Sequence, residues 1–235
     1  MKGASALLAL AFGLPLAAAQ PVCPPGDWPA RLRLDYEVTA SRAALSIGAT
    51  GSIGFERDGA AYRLNAEIKA VGLYRARQES RGTIDALGLK PTEYVEVRGG
   101  RPPLATRFDW AAGRVEFSAA PGTSAPTRPG MQDRASLVLQ LAWRWRAKPD
   151  AVVYEVWVAG ARRVAAFRFE RRGLEGLSLP AGAIDAVLLL RPGDEDSDRI
   201  EVWYAPEWCG LPVRLRYTDR HGGTIDHRLR AVKIE

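Results

Sequence analysis

The sequence lacks the short motifs on which most enzymes depend. It contains no G-x-S-x-G, no serine with a lysine three residues on, no H-E-x-x-H, no CxxC and no P-loop. Only two histidines and two cysteines occur among its 235 residues. We therefore predict no catalytic residue, no cofactor and no metal site. A carboxylate pair like that of a glycoside hydrolase is still an alternative, because such pairs are recognised by their separation in space and not by a sequence motif.

The sequence also lacks an apolar run long enough to cross a bilayer. Its longest run, Ala4–Leu16, follows Lys2 and precedes the small residues Ala17–Ala19. A charged start, a short apolar stretch and a small-residue cleavage site are typical of a secretory signal peptide. We expect residues 1–19 to be removed after Ala19. Residues 20–235 would then form one β-rich domain in the periplasm, with no transmembrane segment.

Positive charge exceeds negative charge only modestly. Without Lys2 the chain has 32 basic and 27 acidic residues, a formal charge of 32 − 27 = +5. The arginines are spread along the chain at strand-like spacing, as on solvated outer faces, and no basic block stands out. Together with export, this distribution argues against nucleic acid as a partner.

The two cysteines predict a disulfide bond. Cys23 and Cys209 form an even pair in a chain that we expect to enter an oxidising compartment. Their bond would tie the N-terminal segment to the last hairpins. Two free thiols are the alternative, and no CxxC motif supports redox chemistry.

Alternation of apolar and polar residues dominates the chain and predicts strands. Leu32, Leu34, Tyr36 and Val38 share one face, and Asp58-Gly59 indicates a hairpin. About a dozen such strands, mostly joined by short turns, predict a mainly β single domain. We expect a curved antiparallel sheet or an open β-barrel.

One segment has helical periodicity. Leu137, Leu141 and Trp145 recur at every fourth position, Asp133 can cap the beginning, and a proline- and glycine-rich loop at 119–130 precedes it. We predict one inserted α-helix over about 131–147 that covers the mouth or the concave face of the sheet.

Six motifs in a fixed order resemble the bacterial exported family called "domain of unknown function 3108". They are Gly88–Pro91 followed by Tyr94, Phe108–Trp110, Gln132–Leu137, Leu179–Gly182, Val202–Pro206 and Leu211–Arg214. The resemblance implies a periplasmic β-rich domain akin to the open barrels that carry lipoproteins. It implies no activity and no catalytic residue.

The histidines flank a turn near the C-terminus. A two-residue turn at Gly222-Gly223 would place Thr218 opposite His227 and leave His221 at the loop edge. Side chains in that register do not converge, so we interpret this hairpin as solvated rather than metal-binding.

Aromatic residues offer the sharper functional hypothesis. Trp143 and Trp145 lie on different faces of the predicted helix. The candidate ligand-binding residues are Trp110, Leu141, Trp143, Trp145 and Trp203. They would line an apolar cavity for a lipid or acyl chain. The alternative is that these residues close the ends of the β-core and bind no ligand.

Three functions follow, in order of preference. The first is a non-catalytic periplasmic protein that binds an apolar or amphipathic component of the cell envelope. The second is an interaction module that docks on an envelope protein through a sheet edge or the 119–130 loop. The third is a hydrolase of envelope polymers.

Overall fold

The computed structural model describes residues 28–235 except 71, 73 and 196. The predicted signal peptide and Cys23 lie outside this part of the chain. Within it, 15 strands form one sheet, as predicted for a mainly β protein with a curved sheet and one helix. Because no described helix has both the length and the apolar character that a membrane span needs, helical spans are not found there.

The strands follow one another as a meander. Their bounds are β1 Arg31–Arg42, β2 Leu45–Asp58, β3 Ala61–Ala70, β4 Tyr74–Asp85, β5 Gly88–Arg98, β6 Leu104–Asp109, β7 Arg114–Phe117, β8 Ser124–Pro126, β9 Gln132–Asp133, β10 Val153–Ala159, β11 Val164–Leu179, β12 Gly182–Arg191, β13 Arg199–Ala205, β14 Leu211–Thr218 and β15 Thr224–Ile234. Their order in the sheet is β8 to β1, then β15 to β9, so β1 pairs with β15 in the middle.

The helix is shorter than its periodicity suggests. α1 spans Ser136–Ala147, whereas Gln132–Asp133 form β9, which runs parallel to the end of β10. The carboxylate of Asp133 still serves the beginning of the helix, because its Oδ1 accepts the N–H groups of Ala135 and Ser136 at 2.8 and 2.7 Å. The strand pairing of Asp133 with Ala159 therefore displaces the helix start.

The sheet is curled so that β9 lies against β5, and side-chain contacts connect the two strands. Gln132 donates to the Leu89 carbonyl at 2.6 Å, and Gln140 of α1 donates to the Leu87 carbonyl at 2.6 Å. The hydroxyl of Thr106 in β6 donates to the carbonyl of Gly160, just after β10, at 3.0 Å. These buried and partly buried polar contacts join the two limbs of the meander, with α1 on the concave face between them.

The core has two clusters. In the smaller one, Leu137, Leu141 and Trp145 of α1 pack against β10 to β13. The larger one begins at Trp28 and continues through β1, β3 and β5. Burial of an aliphatic side chain of this kind stabilises the fold by about 1.5–3 kcal/mol. The helix is therefore held in place mainly by packing.

The last hairpin has a different register from the predicted one. Thr218 pairs with Thr224, and Leu215 rather than Thr218 lies opposite His227. The loop is longer because Asp219 Oδ1 accepts the N–H groups of His221 and Gly223 at 2.8 and 2.9 Å. The predicted two-residue turn was wrong for this reason.

Candidate ligand-binding site

The structure separates the five residues that the sequence grouped as a ligand site. Leu141 and Trp145 fill the smaller core cluster, where the Trp145 ring stacks on Tyr204 at 6.1 Å between centroids. Trp143, on the other side of α1, is half-buried against the larger cluster. Leu141 has no exposed surface, so these helix residues pack the interior of the fold.

Trp203 lies on the face of the sheet opposite α1. Its neighbour Tyr204 donates its hydroxyl to the Val138 carbonyl in α1 at 2.8 Å, and adjacent residues of a strand point to opposite faces. The Trp203 Nε1 donates to Glu175 at 2.9 Å, and the Arg214 guanidinium lies 4.8 Å from its ring centroid. Trp203 is therefore buried beneath the β11–β12 hairpin, away from Trp145.

Trp110 lies at a small cleft at the end of the β4–β5 hairpin. The cleft has a volume of about 270 Å³ and includes Leu87, Lys90 and Met131 in its lining. The Trp110 Nε1 donates to the Pro91 carbonyl at 2.6 Å, and Lys90 Nζ lies 5.2 Å from its ring centroid. This cleft contains one of the five predicted residues, so the five do not form a common pocket.

Strand register shows which residues share the helix-bearing, concave face. Directly paired residues of antiparallel strands lie on the same side of a sheet. Val202, in the cluster that packs on α1, pairs with Leu215, Leu215 with His227, His227 with Val38, and Val38 with Ala49. The concave face therefore continues from β13 through β14, β15 and β1 into β2.

A second row extends the same face to β5. Tyr36, two residues before Val38, pairs with Gly51, Gly51 with Ile68, Ile68 with Ala76, and Ala76 with Arg98. The helix lies mainly against β5, β9, β10 and β14. Much of this face, on β1, β2, β3 and β15, therefore lies beyond the main helix contacts.

The residues there are apolar and partly open to solvent. Ile47 is 47% exposed, and the others are half-buried. We call this set the concave patch; it consists of Ala40, Ile47, Ala49, Ile68 and Ile225. Alternation in the sequence puts Ile47 and Ala49 on one face of a strand, but it cannot show that α1 leaves them uncovered.

A histidine with a buried Nδ1 atom adjoins the concave patch. The Nδ1 atom of His227 has no hydrogen-bond partner among the described residues, and its ring meets that of Tyr36 edge to face at 5.9 Å. Burial lowers the pKa of His227 to about 4, against smaller opposing effects of the Leu215 carbonyl and Asp226. The Nδ1 atom of a neutral imidazole thus lies beside the concave patch without a hydrogen-bond partner among the described residues.

Three arginines lie at the open end of the concave face, where β5 and β12 end. Arg98 and Arg191 face it by strand alternation, because Arg98 follows Tyr94 and Glu96, and Arg191 follows Leu189. Arg134 lies between β9 and α1, where a β-carbon added to Gly160 would lie 3.1 Å from its Nε. We call Arg98, Arg134 and Arg191 the arginine cluster.

Electrostatic effects indicate that the three arginines share neighbours. Burial and the carboxylate of Asp198 raise the pKa of Tyr217 to about 12, whereas the charges of Arg134 and Arg98 oppose that rise. Burial lowers the pKa of Arg191, and the charge of Arg134 adds to this lowering. Charges from β5, β12 and the β9–α1 connection therefore act on common neighbours across the open end.

The predicted disulfide is only half within the described part of the chain. Cys209 is half-buried against the larger core cluster, at a left-handed backbone position with φ of 59°. Cys23 lies outside the described residues, so their bond stays a prediction.

For the same described part, no cluster of three or more His, Cys, Asp or Glu side chains has a metal-binding arrangement.

Comparison with solved structures supports the fold. A β-barrel-like DUF1849 protein from Brucella abortus is similar over 88% of this chain and 98% of that one, with 13% identity and a TM-score of 0.57. A DUF1329 family protein from Desulfovibrio piger aligns over 89% and 87% of the two chains, at 9% identity and a TM-score of 0.26, too low to support an argument. No curated protein matches the chain.

The family match covers most of the sequence. Residues 34–230 match the family described as "Protein of unknown function (DUF3108)". This range begins in β1 and ends in β15, so it includes α1, the concave patch and the arginine cluster. The chain belongs to the DUF3108 family.

Proposed function

We propose that this protein binds an apolar or amphipathic component of the cell envelope, a lipid or an acyl chain, without transforming it. The observation that carries the proposal is the concave patch. Its apolar side chains lie on the inner side of a curled sheet, beyond the main contacts of α1. A contiguous apolar surface that stays partly exposed on a folded chain favours a ligand or partner that covers it.

Shape and energy both suit an acyl chain. Each methylene that leaves water contributes about 0.8 kcal/mol, so eight covered methylenes would contribute roughly 6 kcal/mol before the cost of ordering the ligand. The patch includes residues from four adjacent strands, β15, β1, β2 and β3, so it is wide enough to contact an extended chain. No catalytic step is needed for this role.

Export is part of the proposal. The charged, apolar and small-residue pattern of residues 1–19 supports secretion, and the periplasm is where such a chain would meet envelope lipids. The covering helix suits the same role, because it closes one part of the concave face and leaves the other accessible.

A neutral apolar probe tests the proposal. We expect N-phenyl-1-naphthylamine to gain fluorescence on the wild-type protein, and Ile47→Asp to weaken its binding at least tenfold. Leu174→Asp is the matched control, because Leu174 is 60% exposed and lies outside the concave patch. It should bind the probe like the wild type, and circular dichroism should show equal folding of both variants.

Two results would contradict the proposal. One is an absence of probe binding by the folded wild type. The other is equal loss of binding in the Ile47 and Leu174 variants, which would remove the link to the concave patch. Either result would favour the alternative of an envelope-protein interaction module, with its sheet-edge or 119–130 docking site.

A further inference from the structure

The arginine cluster brings like charges together at the open end of an apolar surface. The Arg191 guanidinium lies 4.3 Å from the Phe167 ring centroid and donates to the Asp198 carbonyl. Arg134 follows β9 on the same limb of the meander as Arg191, whereas Arg98 ends β5 on the other limb. Like charges that face one space repel each other, and an anion between them removes that repulsion.

The nearby carboxylates are largely committed to other groups. Glu96 accepts hydrogen bonds from Tyr94 at 2.8 Å and from Gln78 at 3.4 Å, and its Oε1 lies 2.7 Å from Arg98 Nε. Asp198 accepts the hydroxyl of Tyr217. These contacts balance Arg98 and Arg191 in part.

Arg134 differs from the other two arginines. It is exposed, and no carboxylate within the described residues lies within salt-bridge distance of its guanidinium. The adjacent Asp133 is not available to it, because that carboxylate accepts hydrogen bonds from Ser80, Ala135 and Ser136. Arg134 therefore keeps a full set of donors for a ligand.

We infer that Arg134, supported by Arg98 and Arg191, binds the anionic headgroup of an amphiphile whose acyl chain covers the concave patch. This inference rests on the proposed function and adds the chemical class of the ligand. Guanidinium groups bind phosphate and carboxylate oxygens through paired hydrogen bonds, which gives geometric selectivity as well as charge attraction. The headgroup would lie at the open end, and the chain would extend toward Ile68 and His227.

Probes with one chain and different headgroups test the inference. Dodecyl phosphate and dodecyl maltoside share a twelve-carbon chain, and inorganic phosphate has the anion alone. Calorimetric titration below the micelle concentration should show at least tenfold tighter binding of dodecyl phosphate than of dodecyl maltoside. Inorganic phosphate should bind at least a hundredfold more weakly than dodecyl phosphate, because it lacks the chain.

Two variants connect that preference to the cluster. Arg134→Gln should weaken dodecyl phosphate about tenfold and leave dodecyl maltoside unchanged. Arg63→Gln, an exposed arginine that alternates with the buried Leu64 and thus lies on the convex face, should change neither. Added salt should weaken dodecyl phosphate binding to the wild type more than to Arg134→Gln.

Three outcomes would overturn the inference. Equal binding of dodecyl phosphate and dodecyl maltoside would refute headgroup selection while the proposed function stands. Equally tight binding of inorganic phosphate would indicate a free-anion site instead of an amphiphile site. If neither twelve-carbon probe binds, the proposed function fails together with the inference.

Discussion

The hydroxyl of Ser80 in β4 donates a hydrogen bond of 2.5 Å to the carboxylate of Asp133 in β9. The two residues are 53 positions apart, on the two limbs of the curled sheet. The hydroxyl of Tyr62 lies 2.8 Å from that of Ser80 and extends the network into β3. Asp133 also holds the first N–H groups of α1, so one buried carboxylate joins sheet closure to the beginning of the helix.

Removing the hydroxyl of Ser80 should destabilise the fold. Ser80→Ala leaves Asp133 Oδ2 without its Ser80 donor and the Tyr62 hydroxyl without its Ser80 partner, and an unsatisfied buried group costs about 1–3 kcal/mol. Urea unfolding should show that loss. Ser46→Ala is the control, because its 2.8 Å contact with Ser41 is exposed and should cost less than about 0.5 kcal/mol. Equal effects would contradict a closing role for Ser80.

His227 should make stability depend on pH in a defined direction. Its pKa of about 4 in the fold lies below the ordinary value of 6.5. Between these values the unfolded chain binds the proton more tightly than the folded one. The resulting stability is complete above pH 6.5 and is lost as pH falls toward 4, by up to about 3 kcal/mol. Relative to His227→Gln, the wild type should lose stability over that window in urea titrations.

Asp133 should act in the opposite direction. Burial raises its pKa to about 6 from 3.8, although hydrogen bonds from Ser80 and Ser136 oppose the rise. The fold therefore binds this proton more tightly, and its contribution is present below pH 3.8 and lost as pH rises through 6. Relative to Asp133→Asn, the wild type should lose stability as pH rises from 4 to 7. A constant difference between the two proteins would show that Asp133 does not titrate in this way.

Truncation within the helix cluster should be costly. Leu141 has no exposed surface and packs among the residues of α1 and β10 to β13. Leu141→Ala should lower the free energy of unfolding by about 2–5 kcal/mol through lost burial and a residual cavity. Leu174→Ala, at a 60% exposed position, should cost less than about 0.5 kcal/mol. A small loss for Leu141 would contradict the packing of α1.

The Cys23–Cys209 bond can be tested by mass. The exported protein, denatured without reductant, should resist thiol alkylation at both cysteines and gain two alkyl groups only after reduction. A bond across 209 − 23 = 186 positions stabilises by about 5 kcal/mol in the chain-entropy model, before native strain. Reduction should therefore lower Tm markedly. Alkylation without reduction would instead support two free thiols.

The predictable part of this fold is the local part. Alternation correctly indicated the face of β1 that holds Leu34 and Tyr36, and it indicated the Asp58-Gly59 hairpin, where Gly59 has φ of 56°. The sequence near 73–80 and 82–87 predicts two separate strands, whereas Tyr74–Asp85 form one strand, β4. The periodicity that predicts α1 extended too far toward the N-terminus, because the pairing of Asp133 with β10 depends on contacts distant in sequence.

The candidate site depended on long-range arrangement and was not predictable from composition. Trp203 and Tyr204 are neighbours in sequence, yet only Tyr204 faces α1. The concave patch needed the register of β14, β15, β1, β2 and β3, and the arginine cluster needed the curl that joins the two limbs. Tryptophan content indicated a large core, whereas the accessible apolar surface consists of smaller residues such as Ala49 and Ile68.

Native mass spectrometry of the exported protein, purified without detergent and followed by organic extraction, tests the central claim most directly. We predict a discrete added mass that is lost on denaturation, identified as an acyl-chain amphiphile with an anionic headgroup, and reduced in Ile47→Asp but not in Leu174→Asp. An apo mass that persists after incubation with envelope lipids would contradict ligand binding at the concave patch.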